Sequence, residues 1–392
     1  MTTITTVQQA VYPLLLTCSV FGIGIYSPKK FYLNILYNLT VWTSYGSLCY
    51  YVITALKAGD WFLSTSNIVH IQIGGLTTIT SIVMSVYRDK KFRLFMKRLA
   101  AVDDTLEELG TPKIYQKLRV YAKRVLTGWF VYSYMINIFD AIWWFHAMED
   151  HRCVIIPYII NHFHHINILM DLLLITFLWY IGTGFDQVNE HMRYLIIKKE
   201  YKLRYLWRKT VPSTGRYIMC TDYKLILWTS MHLHLELCQI ARDLNTIFGS
   251  QMTIGMATYL IYVARLCNYI YMHIQTKGQY VRSTFVWFGM CFHLAMHLAS
   301  FFSLNYICEK VTAKAKEIEK IIYHMTDNLR YADVRHEIYQ FLLQIIHHPL
   351  KFTGLGLFYF GNSLLRKFIV AITTFMIIVI QMSIIPKTAK DF

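Results

Sequence analysis

Three charged residues stand inside otherwise apolar runs: Asp140, Asp171 and Arg265. A charge in hydrocarbon is costly, so each of them faces protein or a water-filled cavity. Counted at about 1.5 Å per residue from the start of their runs, Asp140 and Arg265 reach similar depth and could pair. Trp143 and Trp144 follow Asp140 by three and four residues, which sets them on its helix face. His162, Thr284 and Trp287 enter neighbouring runs at a comparable level. Carboxylate, guanidinium, imidazole and indole at one depth suit a pocket for a small polar ligand, with aromatic faces against its C–H surface. A second reading fits equally: Asp140 and Arg265 neutralise each other, and the tryptophans form an interfacial belt. Asp171 lies deeper and reads as a helix-packing contact.

The stretch FIVAITTFMIIVIQMSIIP, Phe368 to Pro386, carries no charge in 19 residues yet keeps a primary amide, Gln381. Thr374, Ile377 and Ile378 precede it at helical steps of seven, four and three. A glutamine in a membrane helix bonds to a neighbouring helix or faces water. If several subunits contributed this helix, Gln381 would form a ring and the isoleucines a hydrophobic constriction. Packing within one subunit fits the spacing as well.

Enzymatic readings find little support. There is no Gly-rich phosphate loop, no H-E-x-x-H and no G-x-S-x-G. The cluster NHFHH (His162, His164, His165) is rich in imidazole, but a metal centre needs further ligands at matched depth, so these histidines read as cavity lining. Neither metal nor cofactor is expected. The eight cysteines form no C-x-x-C pair, which argues against a disulfide framework or a zinc site.

The elements that must hold these residues are membrane helices. The composition is 55% hydrophobic and only 16% charged. Seven runs of bilayer-spanning length follow: Phe31–Leu56, Trp61–Tyr87, Val125–Met148, Cys153–Phe185, Thr246–Thr276, Ser283–Cys308 and Phe368–Pro386. Of the net charge of +16, the segments on one side of these spans hold +15, those on the other +2, and Asp140, Asp171 and Arg265 within the spans the remaining −1. Positive residues mark the cytoplasmic face, which predicts an N-terminus inside and a C-terminus outside. Such a distribution speaks for a membrane protein in contact with lipid and against nucleic acid. Residues 10–26 are apolar but short, with their lysines following rather than preceding them, the reverse of a signal peptide; they read as a re-entrant or interfacial segment. Inner connections are long, and in one of them Val311, Ala315, Ile318, Ile322 and Met325 recur at steps of four and three. That helical stripe predicts extensions packed below the membrane. The expected fold is therefore all-α: one seven-transmembrane domain over residues 1–392 with long cytoplasmic helical extensions.

The last run also carries a resemblance. Thr374-Phe375, five hydrophobic residues and Gln381-Met382 are similar to the signature of the insect gustatory receptors, relatives of the insect odorant receptors. In that family the pattern is Thr-Tyr, five hydrophobics, then Gln-Phe. The preceding HHPLKFTGLGLFYFGNSLL resembles the family's lead-in to its last helix. The resemblance implies a homotetrameric, ligand-gated, non-selective cation channel in the plasma membrane of chemosensory cells, in some cases built with other family subunits. It implies a tastant pocket among the outer helix ends, a shared cytoplasmic anchor within residues 309–367 and a pore-lining helix over 368–386. Gln381 and Met382 would occupy the gate. Asp140 and Trp143, with Trp287 opposite, resemble the pockets of sugar-sensing members, which favours a sugar over a bitter or other tastant. A transporter is the rival class, but repeats and broken helices are not evident.

Overall fold

The computed structural model describes residues 4–23, 31–55, 89–148, 151–206, 213–275, 284–326 and 334–388, with a few positions between 75 and 87. The second expected span, 61–87, falls mostly outside the described residues. The first forms α2, Phe31–Ala55. Each of the other five contributes to a helix long and apolar enough to cross a membrane. The fold is all-α apart from one two-stranded hairpin among the described residues.

Apolar run length sets where helices cross, but not where they stop. After α3 (Asp89–Glu108) and α4 (Tyr115–Met148), a 3-10 turn and the short α5 (Ile156–Ile160) lead into α6, His162–Leu206. Then come α7, Ser213–Gln275, and α8, Thr284–Thr326. The 63 residues of α7 extend about 95 Å, far beyond a hydrocarbon layer of about 30 Å. The surplus packs into a bundle. Val311, Ala315, Ile318 and Ile322 of α8 are buried there, as are Phe92, Phe95, Leu99, Val102 and Leu106 along one face of α3. Polar bonds join the same region. Arg98 of α3 meets Asp243 of α7 at 2.8 Å, and Asn189 of α6 donates to the Lys314 carbonyl of α8 at 3.0 Å. Lys314 also pairs with Asp186, and Arg193 with Glu317.

The N-terminal apolar segment forms α1, Val7–Val20. Val7, Ala10, Val11, Leu14 and Cys18 bury one face of it, packed on α4, α6 and α3. Gly22 ends the helix in the left-handed region (φ 74°). The Ile23 N–H returns to the Cys18 carbonyl and the Gly22 N–H to Ser19, which satisfies carbonyls the helix leaves open.

At the other end, α9 (Arg335–His347) leads into the hairpin β1 (Thr353–Gly354) and β2 (Phe358–Tyr359), and then α10, Asn362–Thr388. The helix starts six residues before the charge-free run at Phe368. Arg366 and Lys367 end the run but not the helix; its first turn is fixed by bonds from α8. Asn305 accepts the Gly361 N–H at 3.1 Å, and Glu309 accepts the Asn362 N–H at 3.2 Å. Beyond this start α10 is nearly bare: 6% of its apolar window is buried, against 72% in the span that contains α6.

Candidate ligand site

The spacing of polar residues on four helices builds one network. On α4, Asn137 and Asp140 stand three residues apart and so share a face. Asn161, at the junction of α5 and α6, donates its amide to both: 2.6 Å to the Asp140 carboxylate and 3.3 Å to the Asn137 oxygen. His165 of α6 donates to the same Asn137 oxygen at 3.1 Å. From α8, His293 Nε2 approaches the other Asp140 oxygen at 3.2 Å. One turn further along α8, His297 lies against His164 with ring centroids 4.5 Å apart, and Tyr262 of α7 stacks on His297 at 4.6 Å. The Tyr132 hydroxyl of α4 bonds to His164 at 2.7 Å. Asp140 and His293 are only half-buried. Carboxylate, amide and imidazole there offer both donors and acceptors, the chemistry that hydroxyl-bearing ligands need.

Several of the residues singled out from sequence take other places. The expected partner of Asp140 was Arg265; the side chain that meets its carboxylate from the neighbouring helix is His293. Arg265 sits half-buried on α7, its surroundings including Tyr262 and Tyr269. His162 turns away from Asp140 and stacks on Tyr45 of α2 at 4.6 Å, with Trp42 and Phe21 around it. Trp144 is buried in a second apolar cluster with Val52, Cys153, Ile156 and Ile159; Trp143 packs against that cluster and edge-on to Trp144. Tyr45 belongs to the rim of this cluster and also donates its hydroxyl to the Ile159 carbonyl, so His162 and the tryptophans form one aromatic wall beside the network. Trp287 is half-buried near the start of α8, and Thr284 opens that helix with its side chain outside the described residues. Asn161 and His293 were missed. Asn161 heads the NHFHH cluster, and His293 shares an i, i+4 face with His297; that repeat was the available signal.

The three histidines of NHFHH diverge, toward Tyr45, Tyr132 and Asn137 respectively. A metal would need them to converge. Asp171, expected as a packing contact, accepts the Tyr259 hydroxyl of α7 at 2.7 Å. On α10, Thr374, Ile377, Ile378 and Gln381 are all exposed, while the Met382 side chain lies outside the described residues.

Comparison with known proteins adds the following. The family model of the 7tm Chemosensory receptor matches residues 11–385. "Putative gustatory receptor 28b" of Drosophila melanogaster is 21% identical over 330 residues, covering 79% of this chain and 68% of that protein. "Gustatory and pheromone receptor 32a" of the same fly is 26% identical over 151 residues, 38% of this chain and 32% of that one. Among solved structures, the insect olfactory receptor OR5 from Machilis hrabei aligns with a TM-score of 0.54 at 12% identity, over 95% of this chain and 97% of that one. The same receptor in complex with eugenol gives 0.50 at 13% identity, over 96% and 98%. At such identity the likeness is one of fold.

Proposed function

The chain belongs to the 7tm chemosensory receptor family, and on that premise we propose that it is a ligand-gated, non-selective cation channel that detects a small tastant. It acts in the plasma membrane of chemosensory cells, with its N-terminus in the cytoplasm. The observation that carries the reading is α10: an apolar helix with only 6% of the residues in its most apolar stretch buried by its own chain. A helix so bare must face lipid or other copies of the chain, and Thr374 and Gln381 make it a poor lipid-facing surface. In a homotetramer, four such helices surround a common axis, with Gln381 and Met382 at the gate.

The tastant binds where Asp140, Asn161 and His293 meet, beside the aromatic wall of His162, Tyr45, Trp143 and Trp144. Polar groups of both hydrogen-bonding senses next to aromatic faces favour a sugar. In support of a small-molecule site within this fold, OR5 is known in complex with eugenol. The test is whole-cell current in transfected cells challenged with sugars and with bitter compounds. A sugar-evoked cation current is the expected result; current evoked by bitter compounds alone would move the ligand class, and no current from surface-expressed protein with any of them would count against the channel.

A further inference from the structure

Beside the Asp140 network, further along α6, a small cavity opens between α6 and α7, lined by His164, Asn167, Asp171, Gln251, Gly255 and Tyr259 among others. About 10 Å³ of it is open to the centre of a water-sized sphere, room for one water or one small ion. Its polar lining is rich in oxygen. Asp171 is 7% exposed, and Tyr259 is the sole hydrogen-bond donor to its carboxylate among the described residues. The Asn167 side-chain oxygen is buried and has no hydrogen-bond partner there. Gln251, 6% exposed, faces the same space.

A buried carboxylate in a membrane helix must be neutralised by a proton or a cation. Among the described residues no lysine or arginine pairs with Asp171. We propose that the cavity binds a small monovalent cation, sodium, on the Asp171 carboxylate, with the Asn167 and Gln251 side-chain oxygens as further ligands. One carboxylate balances one positive charge, and the cavity admits a single ion. Calcium would need six to eight oxygens, commonly from several carboxylates, and magnesium keeps several waters that this volume does not hold. The bound ion joins α6 to α7 next to the residues that hold His164. The site lies between helices of one chain, so it does not depend on how α10 is used.

The test is thermal unfolding of the purified full-length receptor in sodium chloride and in choline chloride of equal ionic strength. Sodium should raise the midpoint by several degrees, saturably, because a ligand of the folded state alone stabilises it by mass action. Asp171→Asn should abolish the increment. Asn167→Ala is the second variant: the side-chain oxygen it removes is buried and has no hydrogen-bond partner among the described residues, so a proposed ligand is lost without breaking a bond of that oxygen. It should lose most of the sodium increment. Equal midpoints of the wild type in the two salts would overturn the site, as would a full sodium increment retained in Asn167→Ala. Should Asp171→Asn fail to fold, the wild-type titration and Asn167→Ala still decide.

Discussion

Glu309 and Gly361 share one space at the start of α10. The Glu309 carboxylate accepts the Asn362 N–H at 3.2 Å, and a Cβ at Gly361 would overlap that carboxylate. Gly361 also holds φ at 124°, where side chains are rarely tolerated. Gly361→Ala is therefore expected to displace Glu309, strain the backbone and destabilise the receptor by about 1–3 kcal/mol. Glu309→Gln keeps the shape and an acceptor, so it should cost less. Thermal midpoints of the two purified variants, read with surface expression, check the order; equal behaviour would mean that the carboxylate and the glycine are not coupled.

The Asp140 site gives the second prediction. Asn161 and His293 both engage the carboxylate, and hydrogen bonds to charged groups contribute about 1.5–3 kcal/mol. Asp140→Asn or His293→Ala should then raise the half-maximal agonist concentration about tenfold or more. Trp144→Ala should act differently. Its indole is 4% exposed inside an apolar cluster, and its truncation should cost about 3–5 kcal/mol of stability. Surface protein would fall before any change in agonist sensitivity. Wild-type dose–response curves for Asp140→Asn and His293→Ala would remove the ligand from this site.

The contrast between these residues shows what the sequence made legible. Run lengths and charge asymmetry pointed to membrane helices, and the four-and-three spacing of Val311, Ala315, Ile318 and Ile322 revealed a buried extension. Counting residues up a helix yields height, and height alone made Arg265 a partner for Asp140. Which way a side chain points around its helix depends on how the helices cross, and that is set by packing of ridges into grooves over many residues. The 3-10 turn and short helix ahead of α6 add a break that no residue count includes. It turns His162 toward Tyr45 and leaves Asn161 to meet Asp140. The start of α10 ahead of the charge-free run has a related cause: Asn305 and Glu309, distant in sequence, fix it.

A pH effect follows from Asp103 on α3. Burial pushes its carboxyl up to about 6, against the opposing bonds from Tyr180 and Tyr115 and the charge of Lys113. The Tyr180 hydroxyl donates to it at 2.8 Å, while Lys113 is itself engaged by Asp104 and Glu107. The unfolded chain releases this proton near pH 4 and the folded chain near 6, so the folded state binds more protons between those values. Stability falls as pH rises through that window, by about 3 kcal/mol, and the loss is complete above it. Asp103→Asn should abolish this slope and melt higher than the wild type at pH 7.5, with the gap closing toward pH 4.5. Parallel melting curves of the two proteins across this range would rule the effect out.

The last prediction concerns Gln381. It is exposed on a helix that its own chain leaves almost uncovered, so an amide bond within the subunit does not explain it. In a pore ring the amides would bond between subunits when the channel is closed. They would present oxygen and nitrogen dipoles to water and cations when it is open. Gln381→Ala removes the inter-subunit bonds, so closure should weaken and basal current rise. Gln381→Glu sets like charges around one axis. At a separation of several Å in partly dry surroundings their repulsion amounts to a few kcal/mol, enough to favour a wider pore and to draw divalent cations into it as permeant ions or blockers. The measurement is basal current and reversal potential of both variants, normalised to surface protein. If Gln381 faced lipid, Ala would be the better residue there, and basal current and selectivity would match the wild type in that variant. Glu would then lower surface expression through the cost of a charge in hydrocarbon, without altering the selectivity of the channels that remain. A rise in basal current with Ala and a shift in divalent permeation with Glu together require the side chain to face the conduction path.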